Sequence, residues 1–551
     1  MAGRLPLSVS VVIPARDEAG TIGDVIRSCA ALRPLEIIVV ANGCTDSTAR
    51  AAREAGCLVV ETDRPLGSDV GRAVGAAKAS GDILLFVDAD FPIPPRSLES
   101  LLAPIRQGRA DTAYNDLDPL YREKKRPHST TVWRRAFNVL IGRADLNIDS
   151  PLSVPHALSR AVLSAIGFEC LANPAWAHWE ICRRGFRIAH GFSVDVRANR
   201  YRPEQHAAAA DRLSRSEKRI IGDHLAALAA ARLPLRGRFG DGGRRRDLLR
   251  DFASGRSTLG ALSPGRTWLS APSRLYGGKS LSAVIPAQDE ETTIRQVVRE
   301  VRKIEPAEII VVANGSKDRT AAFAADEGAK VIAIPEPLGN DVGRSVGALA
   351  ATGDILLFVD GDFVLPASEL FPYAHAAASG VDVALNDLNH YLDLRFPLND
   401  VTLMKYALNL ALNRKDLGVG SLIAVPHALS RQALRTVGAE ALVSPGTALV
   451  KAALAGLTLK NVRRTEVDRI NRIRPEQHFS TVGLPPAAER ILGDHLEALH
   501  ELIRIAGPRG PFPEDGRDWR SVQGVCRGMP SSSKPGFMPS SSKEAADTGN
   551  G

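Results

Sequence analysis

The chain repeats itself, and that repetition limits its architecture more than any other property. Ser10–Asp90 returns without a gap as Ser282–Asp362, a constant offset of 272 residues. The two segments share IIVVANG (Ile37–Gly43, Ile309–Gly315), DVGR (Asp69–Arg72, Asp341–Arg344) and GDILLFVD (Gly81–Asp88, Gly353–Asp360). Further on, the offset slips to 271, VPHALSR recurs at Val154–Arg160 and Val425–Arg431, and RPEQH ends each copy at Arg202–His206 and Arg474–His478. Similarity over such a length describes a whole domain of about 230 residues duplicated in tandem, not a short stacking unit. Residues 1–231 and 280–506 are then the two copies, and 232–279 is a basic linker rich in Gly, Arg, Ser and Pro, with one short helix around Arg245–Ala253. Residues 507–551, with a doubled MPSSSK and little to bury, are expected to be a disordered tail.

The 551 residues are 44% apolar and 24% charged, ordinary for a soluble globular protein. No apolar run approaches the roughly 20 residues that cross a bilayer, and no apolar leader follows Met1, so a cytoplasmic location is expected. Cys29, Cys44, Cys57, Cys170, Cys182 and Cys526 are scattered without a CxxC pair and read as reduced thiols. The net charge of +8 is concentrated in Arg232–Arg256. A solvated linker explains that stretch, with peripheral contact to membrane phosphates or an anionic acceptor as the alternative. No nucleic-acid partner is expected.

Within each copy, strand-like apolar runs alternate with helical spacing. In the first copy the strands are Val9–Ile13, Glu36–Ala41, Cys57–Glu61 and Asp82–Val87, and the helices are Thr21–Leu32, Asp46–Ala55 and Asp69–Ala79. This order predicts the α/β class: two tandem Rossmann-like domains, each a mostly parallel sheet flanked by helices. Ligands of such sheets bind beyond the carboxyl ends of the strands, where Pro14–Glu18, Asn42–Asp46 and Asp88–Asp90 fall.

Asp88-Ala89-Asp90 and Asp360-Gly361-Asp362 each follow an apolar strand directly. Two carboxylates so spaced on a turn can face one hard divalent cation, and that cation would offset charge on a departing diphosphate. Turn acids are the plainer explanation, but the same pair at the same place in both copies favours function. Arg72 and Arg344 open a helix after a glycine-containing loop, where backbone amides and a guanidinium grip phosphate, unless each is simply a solvated helix start.

The ordered set VIPARDE, IIVVANGCTDST, LGSDVGRAVGA and GDILLFVDAD, repeated as VIPAQDE, IIVVANGSKDRT, LGNDVGRSVGA and GDILLFVDGD, resembles the nucleotide-binding half of family 2 glycosyltransferases, which have the GT-A fold. The resemblance implies a nucleotide-diphosphate sugar donor and a hydroxyl acceptor. By it, Pro14, Ala15, Glu18 and Asn42, with Pro286, Ala287, Glu290 and Asn314, face the nucleoside. Asp88 and Asp360 lie near the ribose, and Asp90 and Asp362 bind Mg2+ or Mn2+. GT-A enzymes often complete the metal shell with a later histidine, a role open to His156 and His427, although a packed histidine is equally compatible.

Two departures stand out. Ala41-Asn42 and Ala313-Asn314 occupy the place of an acidic pair after the second strand. Asn173-Pro174 and Ser444-Pro445 occupy the place where many inverting members carry a catalytic Glu-Asp pair. Proton removal then falls to Asp116 and Asp387 in Asn-Asp-Leu turns, to Glu169 and Glu440 in Gly-x-Glu-x-Leu contexts, or to the leaving phosphate in a front-face retaining reaction. Asn-Asp turns also serve structure alone. Three further readings stay open: retaining transfer to a phosphorylated small acceptor, as in glucosyl-3-phosphoglycerate synthases; a non-catalytic copy; and a sugar-phosphate nucleotidyltransferase. The last would need a glycine-rich loop that Pro14–Glu18 lacks. Trp133, Trp176, His178 and Trp179 of the first copy have no counterparts in the second, so they are either a sugar-stacking surface or core.

Overall fold

The computed structural model describes residues 7–122, 126–196, 201–256, 261–263, 273–393, 397–467, 470, 474–514 and 516–526. The first copy forms β1 (Val9–Ala15), β2 (Glu36–Asn42), β3 (Leu58–Thr62), β4 (Ile83–Phe86), β5 (Thr112–Asn115), β6 (His156–Ser159) and β7 (Ile188–Phe192). They lie in the order β3-β2-β1-β4-β6-β5-β7. Pairing is parallel from β3 to β4, antiparallel where β6 enters between β4 and β5, and parallel again at β7. Strands such as VSVVIPA are apolar on both faces because helices cover both.

The second copy repeats this sheet with β9 (Leu281–Ala287), β10 (Glu308–Asn314), β11 (Lys330–Ile334), β12 (Ile355–Phe358), β13 (Val383–Asn386), β14 (His427–Ser430) and β15 (Leu459–Arg463). An eighth strand from the region between the copies, β8 (Ala261–Ser263), pairs antiparallel with the edge strand β11. The α/β architecture expected from the sequence, two mostly parallel sheets flanked by helices, is therefore present.

In each copy the chain leaves the central strand for opposite sides of the sheet, opening a crevice between the ends of β1 and β4, and of β9 and β12. The helices Val70–Lys78 and Val342–Ala350 border these crevices, and glycines let them approach closely. A Cβ on Gly75 would stand 2.4 Å from Val12 Cγ1, and one on Gly347 2.3 Å from Val284 Cγ1.

The copies share one core. Helices Ser129–Leu140 and Asp400–Ala411 pack against each other. Trp133 and Phe137 from the first copy join Leu403, Met404 and Leu408 from the second in a single buried cluster. Arg135 bonds Asp400 across the seam at 2.8 Å, and Lys415 reaches Glu217 at 3.2 Å. Trp133 is thus core, Trp176 and Trp179 pack against the same cluster, and buried His178 is bonded to Asn138 at 2.7 Å. The aromatic set peculiar to the first copy is packing, not a sugar platform.

Two boundary expectations need correction. The short helix foreseen in the basic stretch exists as Arg246–Ala253, but the stretch is not a solvated linker. Arg236, Arg244 and Arg246 are tied to Asp494 and Glu497 of the second copy, while Arg232, Arg238, Arg250 and Arg256 of the same stretch are exposed. The segment beyond residue 506, expected to be disordered, instead packs on the first copy through Arg509, Arg517 and the helix Trp519–Cys526. Residues 527–551, including both MPSSSK strings, lie outside the described residues. Among the described residues no helix is long and apolar enough to cross a membrane.

Two consequences are testable. Gly347→Ala forces a methyl into the β9 contact and should cost about 1–3 kcal/mol in denaturant unfolding. Burial alone would raise the Asp223 carboxyl, but Arg517, Arg509 and Arg219 outweigh it and bring it down to about 2. A depressed carboxylate stabilises above its ordinary pKa of about 4 and loses that contribution as pH falls through the window towards 2. Hydrogen exchange of residues 507–526 should therefore accelerate across that window, and Asp223→Asn should show the faster exchange already at neutral pH.

Candidate functional site

Each crevice is a cleft floored by the strand ends, about 380 Å3 in the first copy and about 650 Å3 in the second, within the range of small-molecule sites. Pro14, Ala15, Glu18, Asn42, Arg72, Asp88 and Asp90 line the first; Pro286, Ala287, Glu290, Asn314, Arg344, Asp360 and Asp362 line the second. The predicted donor-binding residues, separate in sequence, are thus brought together in both copies.

The loops that carry them are pinned by carboxylates. Asp17 accepts from Thr45 N at 2.7 Å while Asp46 accepts from Ala19 N at 2.9 Å, joining the loops after β1 and β2. Asp289 and Asp318 do the same with Lys317 N and Glu291 N. The Thr45 amide leads in holding the Asp17 carboxyl below its usual value. These reciprocal bonds account structurally for the Asp17–Cys44–Asp46 cluster. The side chains of Asn42 and Asn314 clamp the next loop, accepting from Leu66 N at 2.6 Å and Leu338 N at 2.5 Å and donating to Gly67 O at 3.2 Å and Gly339 O at 3.3 Å, a donor–acceptor pair that an amide supplies and a carboxylate does not.

At the cleft floor, Arg344 bonds Asp360 and Asp341, each at 2.8 Å, and Arg72 stands 3.5 Å from Asp88 and 3.0 Å from Asp69. Burial works against the Arg344 charge, but Asp360 and Asp341 outweigh it and raise its pKa. Asp69 and Asp341 adopt left-handed backbone (φ 63° and 67°) and turn the chain into the helices headed by these arginines. Burial raises the Asp88 carboxyl despite Arg72, and burial together with Asp360 raises that of Asp362. Asp362 Oδ1 is buried and accepts no hydrogen bond. In the second copy a buried acid beside a second acid, with one acceptor atom left over, suits a divalent cation.

RPEQH, noticed in the sequence as a repeated string without a role, supplies a residue that sequence reasoning missed. Arg474 bonds Glu290 at 2.6 Å and Asp362 at 3.1 Å, and Arg202 bonds Glu18. The string forms a short turn that closes one side of each cleft with a guanidinium.

The remaining candidates lie elsewhere. His156 and His427 are not among the residues lining either cleft. They are buried in β6 and β14, stacked on Phe86 and Phe358, with Nδ1 bonded to Ser153 O at 2.8 Å and Ala424 O at 2.9 Å. Burial, aided by Arg72 and Arg344, lowers both pKa values to about 3, so each imidazole is neutral. The rest of VPHALSR is structural as well: Arg160 bonds the carbonyls of Ala79 and Gly81, and Arg431 those of Ala351 and Gly353.

Asp116 and Asp387 also sit outside the lining, each accepting from the amide two residues on at 2.9 and 3.0 Å, while Asn115 and Asn386 staple neighbouring backbone. Glu169 and Glu440 lie in 3-10 turns, Phe168–Ala172 and Ala439–Val443, packed against the glycine-bearing helices, and neither is among the residues lining the clefts. Around the Asn-Asp turns the copies diverge: Asp118, Asp149 and buried Arg134 of the first become Asn389, Gly420 and Lys405 in the second. Burial lowers the Lys405 amine to about 8.

The family model described as Glycosyl transferase family 2 covers residues 10–164 and again 282–437. The chain belongs to this family. Among curated relatives, Glycosyltransferase AglD of Haloferax volcanii is 31% identical over 218 residues, covering 34% of this chain and 33% of that protein. Glucosyl-3-phosphoglycerate synthase of Mycobacterium tuberculosis is 34% identical over 139 residues, covering 22% of this chain and 43% of that one. The chain thus spans about a third of the length of the first relative and under half of the second. The crystal structure of the M. tuberculosis synthase aligns at 26% identity over 40% of this chain and 80% of its own, with a TM-score of 0.32.

His427→Phe separates packing from ligation. Leaving Ala424 O unpaired should cost about 1–3 kcal/mol in thermal unfolding, while Mn2+ affinity measured by electron paramagnetic resonance stays within about twofold of wild type. A tenfold weaker Mn2+ site would return the histidine to the metal shell.

Proposed function

We propose that this family 2 protein transfers a sugar from a nucleotide-diphosphate donor to a hydroxyl acceptor, with one donor cleft in each copy. The observation that carries this reading is the floor of the second cleft. Asp360 is bonded to Arg344, and two residues on one buried carboxylate oxygen of Asp362 accepts no hydrogen bond. Asp90 and Asp362 would hold Mg2+ or Mn2+, which when bound supplies positive charge for the diphosphate leaving group. Arg72 and Arg344, at the starts of their helices, orient the phosphates. The strand-end backbone at Pro14-Ala15 and Pro286-Ala287 walls the nucleoside. Arg202 and Arg474 close the cleft and limit water. The free cysteines Cys29, Cys44, Cys57, Cys170 and Cys182 fit a cytoplasmic setting.

A retaining outcome is the second reading, and one observation favours it. Where inverting members carry their base, Asn173 instead caps the helix Pro174–Arg183, accepting from Ala175 N at 3.1 Å and Trp176 N at 3.2 Å. Ser444 stands at the start of the matching helix Pro445–Leu454. Neither position offers a carboxylate, and the carboxylates put forward from the sequence lie away from the cleft floor. In this reading the leaving phosphate accepts the acceptor's proton. Similarity to glucosyl-3-phosphoglycerate synthases supports a small phosphorylated acceptor for this reaction.

A panel of nucleotide sugars incubated with Mn2+ and candidate acceptors provides the test, with product anomers read by NMR. Asp90→Asn and Asp362→Asn should each silence one copy, and the double variant should lose about a hundredfold or more of the wild-type turnover. Undiminished turnover in the double variant would exclude the two acid pairs as the seat of catalysis.

A further inference from the structure

The segments that follow each copy cross over. The segment after the first copy docks on the second: Arg244, with its side chain fully buried, bonds Asp341 Oδ2 at 2.7 Å and both carboxylate oxygens of Asp494 at 2.5 and 2.9 Å. The segment after the second copy docks on the first: Arg517, equally buried, bonds both oxygens of Asp223 at 2.8 and 2.5 Å and stands 3.8 Å from Asp69. The correspondence extends to the backbone. Arg244 Nε bonds Asn340 O at 3.0 Å and Arg517 Nε bonds Ser68 O at 3.1 Å, while Arg245 N and Asp518 N each donate to a cleft-loop leucine, Leu338 O and Leu66 O, at 2.8 Å. Leu249 and Val522 then enter the apolar clusters beside the Val342–Ala350 and Val70–Lys78 helices.

Both docking points touch the clefts. Gly67 and Gly339 lie in the left-handed region (φ 92° and 82°), and a Cβ there would stand 2.8 Å from Arg517 Cα and 2.9 Å from Arg244 Cα. From each strap arginine a chain of charges runs to the cleft floor: Arg244 to Asp341 to Arg344 to Asp360, and Arg517 to Asp69 to Arg72 to Asp88. Gly516 itself lines the first cleft.

We infer that each donor cleft is completed in trans, with Arg244 a positioning residue for the second copy's cleft and Arg517 a positioning residue for the first. This rests on the reading of the clefts as metal-dependent donor sites. The strap arginine shares the charge of Asp341 or Asp69. Without it, that aspartate draws Arg344 or Arg72 away from the floor acid, and the loop at Gly339 or Gly67 loses its backing. The chain is a strap-exchanged dimer fused into one polypeptide.

The test uses the full chain with one cleft read at a time. In Asp90→Asn protein, Mn2+ titration followed by electron paramagnetic resonance reports the second cleft; in Asp362→Asn protein it reports the first. Adding Arg244→Gln to the former should weaken Mn2+ at least tenfold, Arg244→Lys should recover part of the loss, and Arg517→Gln should have no effect. In the latter the pattern should reverse. Equal effects of both arginines on both clefts, or an effect of Arg244 confined to the first, would overturn the inference. Gly339→Ala, which displaces the strap while sparing every charge, should reproduce the Arg244→Gln result. Should wild type bind no Mn2+, the donor-site reading fails separately, and hydrogen exchange still decides: Arg244→Gln should accelerate exchange at residues 338–345 and not at 66–73. Acceleration in both loops, or in neither, would refute the trans arrangement.

Discussion

Buried guanidinium groups organise this protein. An arginine removed from water is tolerated only where several carboxylate and carbonyl oxygens surround it. Arg244 finds them in Asp341, Asp494 and Asn340 O; Arg517 finds them in Asp223, Asp69 and Ser68 O. Every one of these acceptors belongs to the other copy. Satisfying the two arginines therefore fixes how the copies sit, draws the connecting segments across the seam, and sets the loops from which the Arg72 and Arg344 helices start. The apolar seam of Trp133, Phe137, Leu403 and Met404 supplies contact area, while the ion clusters supply registration.

What was legible in the sequence depended on distance along the chain. Strands, helices and the strand-end acid pairs were readable because an apolar run and the acids that follow it are neighbours in sequence. The straps were not. A stretch of Gly, Arg and Pro looks solvated until Asp494, 250 residues away, is known to accept from Arg244. The tail misled in the same way, since Arg517 and Asp223 are 294 residues apart. RPEQH was visible as a repeated string, but its meaning lay in an arginine reaching back 184 residues to Glu18 or Glu290. VPHALSR differs again. The family resemblance offered its histidine as a metal ligand with packing as an equal alternative, and its histidine, serine and arginine hold strands and helix starts in place.

The two clefts share a floor and differ around the Asn-Asp turns. One copy gathers Asp116, Asp118 and Asp149 near Arg134; the other substitutes Asn389, Gly420 and Lys405. These replacements alter local charge without touching the strand-end acids or the strap contacts. The strand-end acids and strap contacts that build a cleft are common to both copies, and the Asn-Asp turns where they differ lie outside its lining.

Fusion has a consequence for how such a protein can change. In a dimer of identical subunits every substitution is written twice, so a modified approach to one cleft is imposed on both. Here one codon alters one cleft, while the crossed straps keep both clefts dependent on a single folded body. The molecule keeps the assembly of a symmetric dimer without its symmetry, and so carries two independently editable sites on one concentration-independent scaffold.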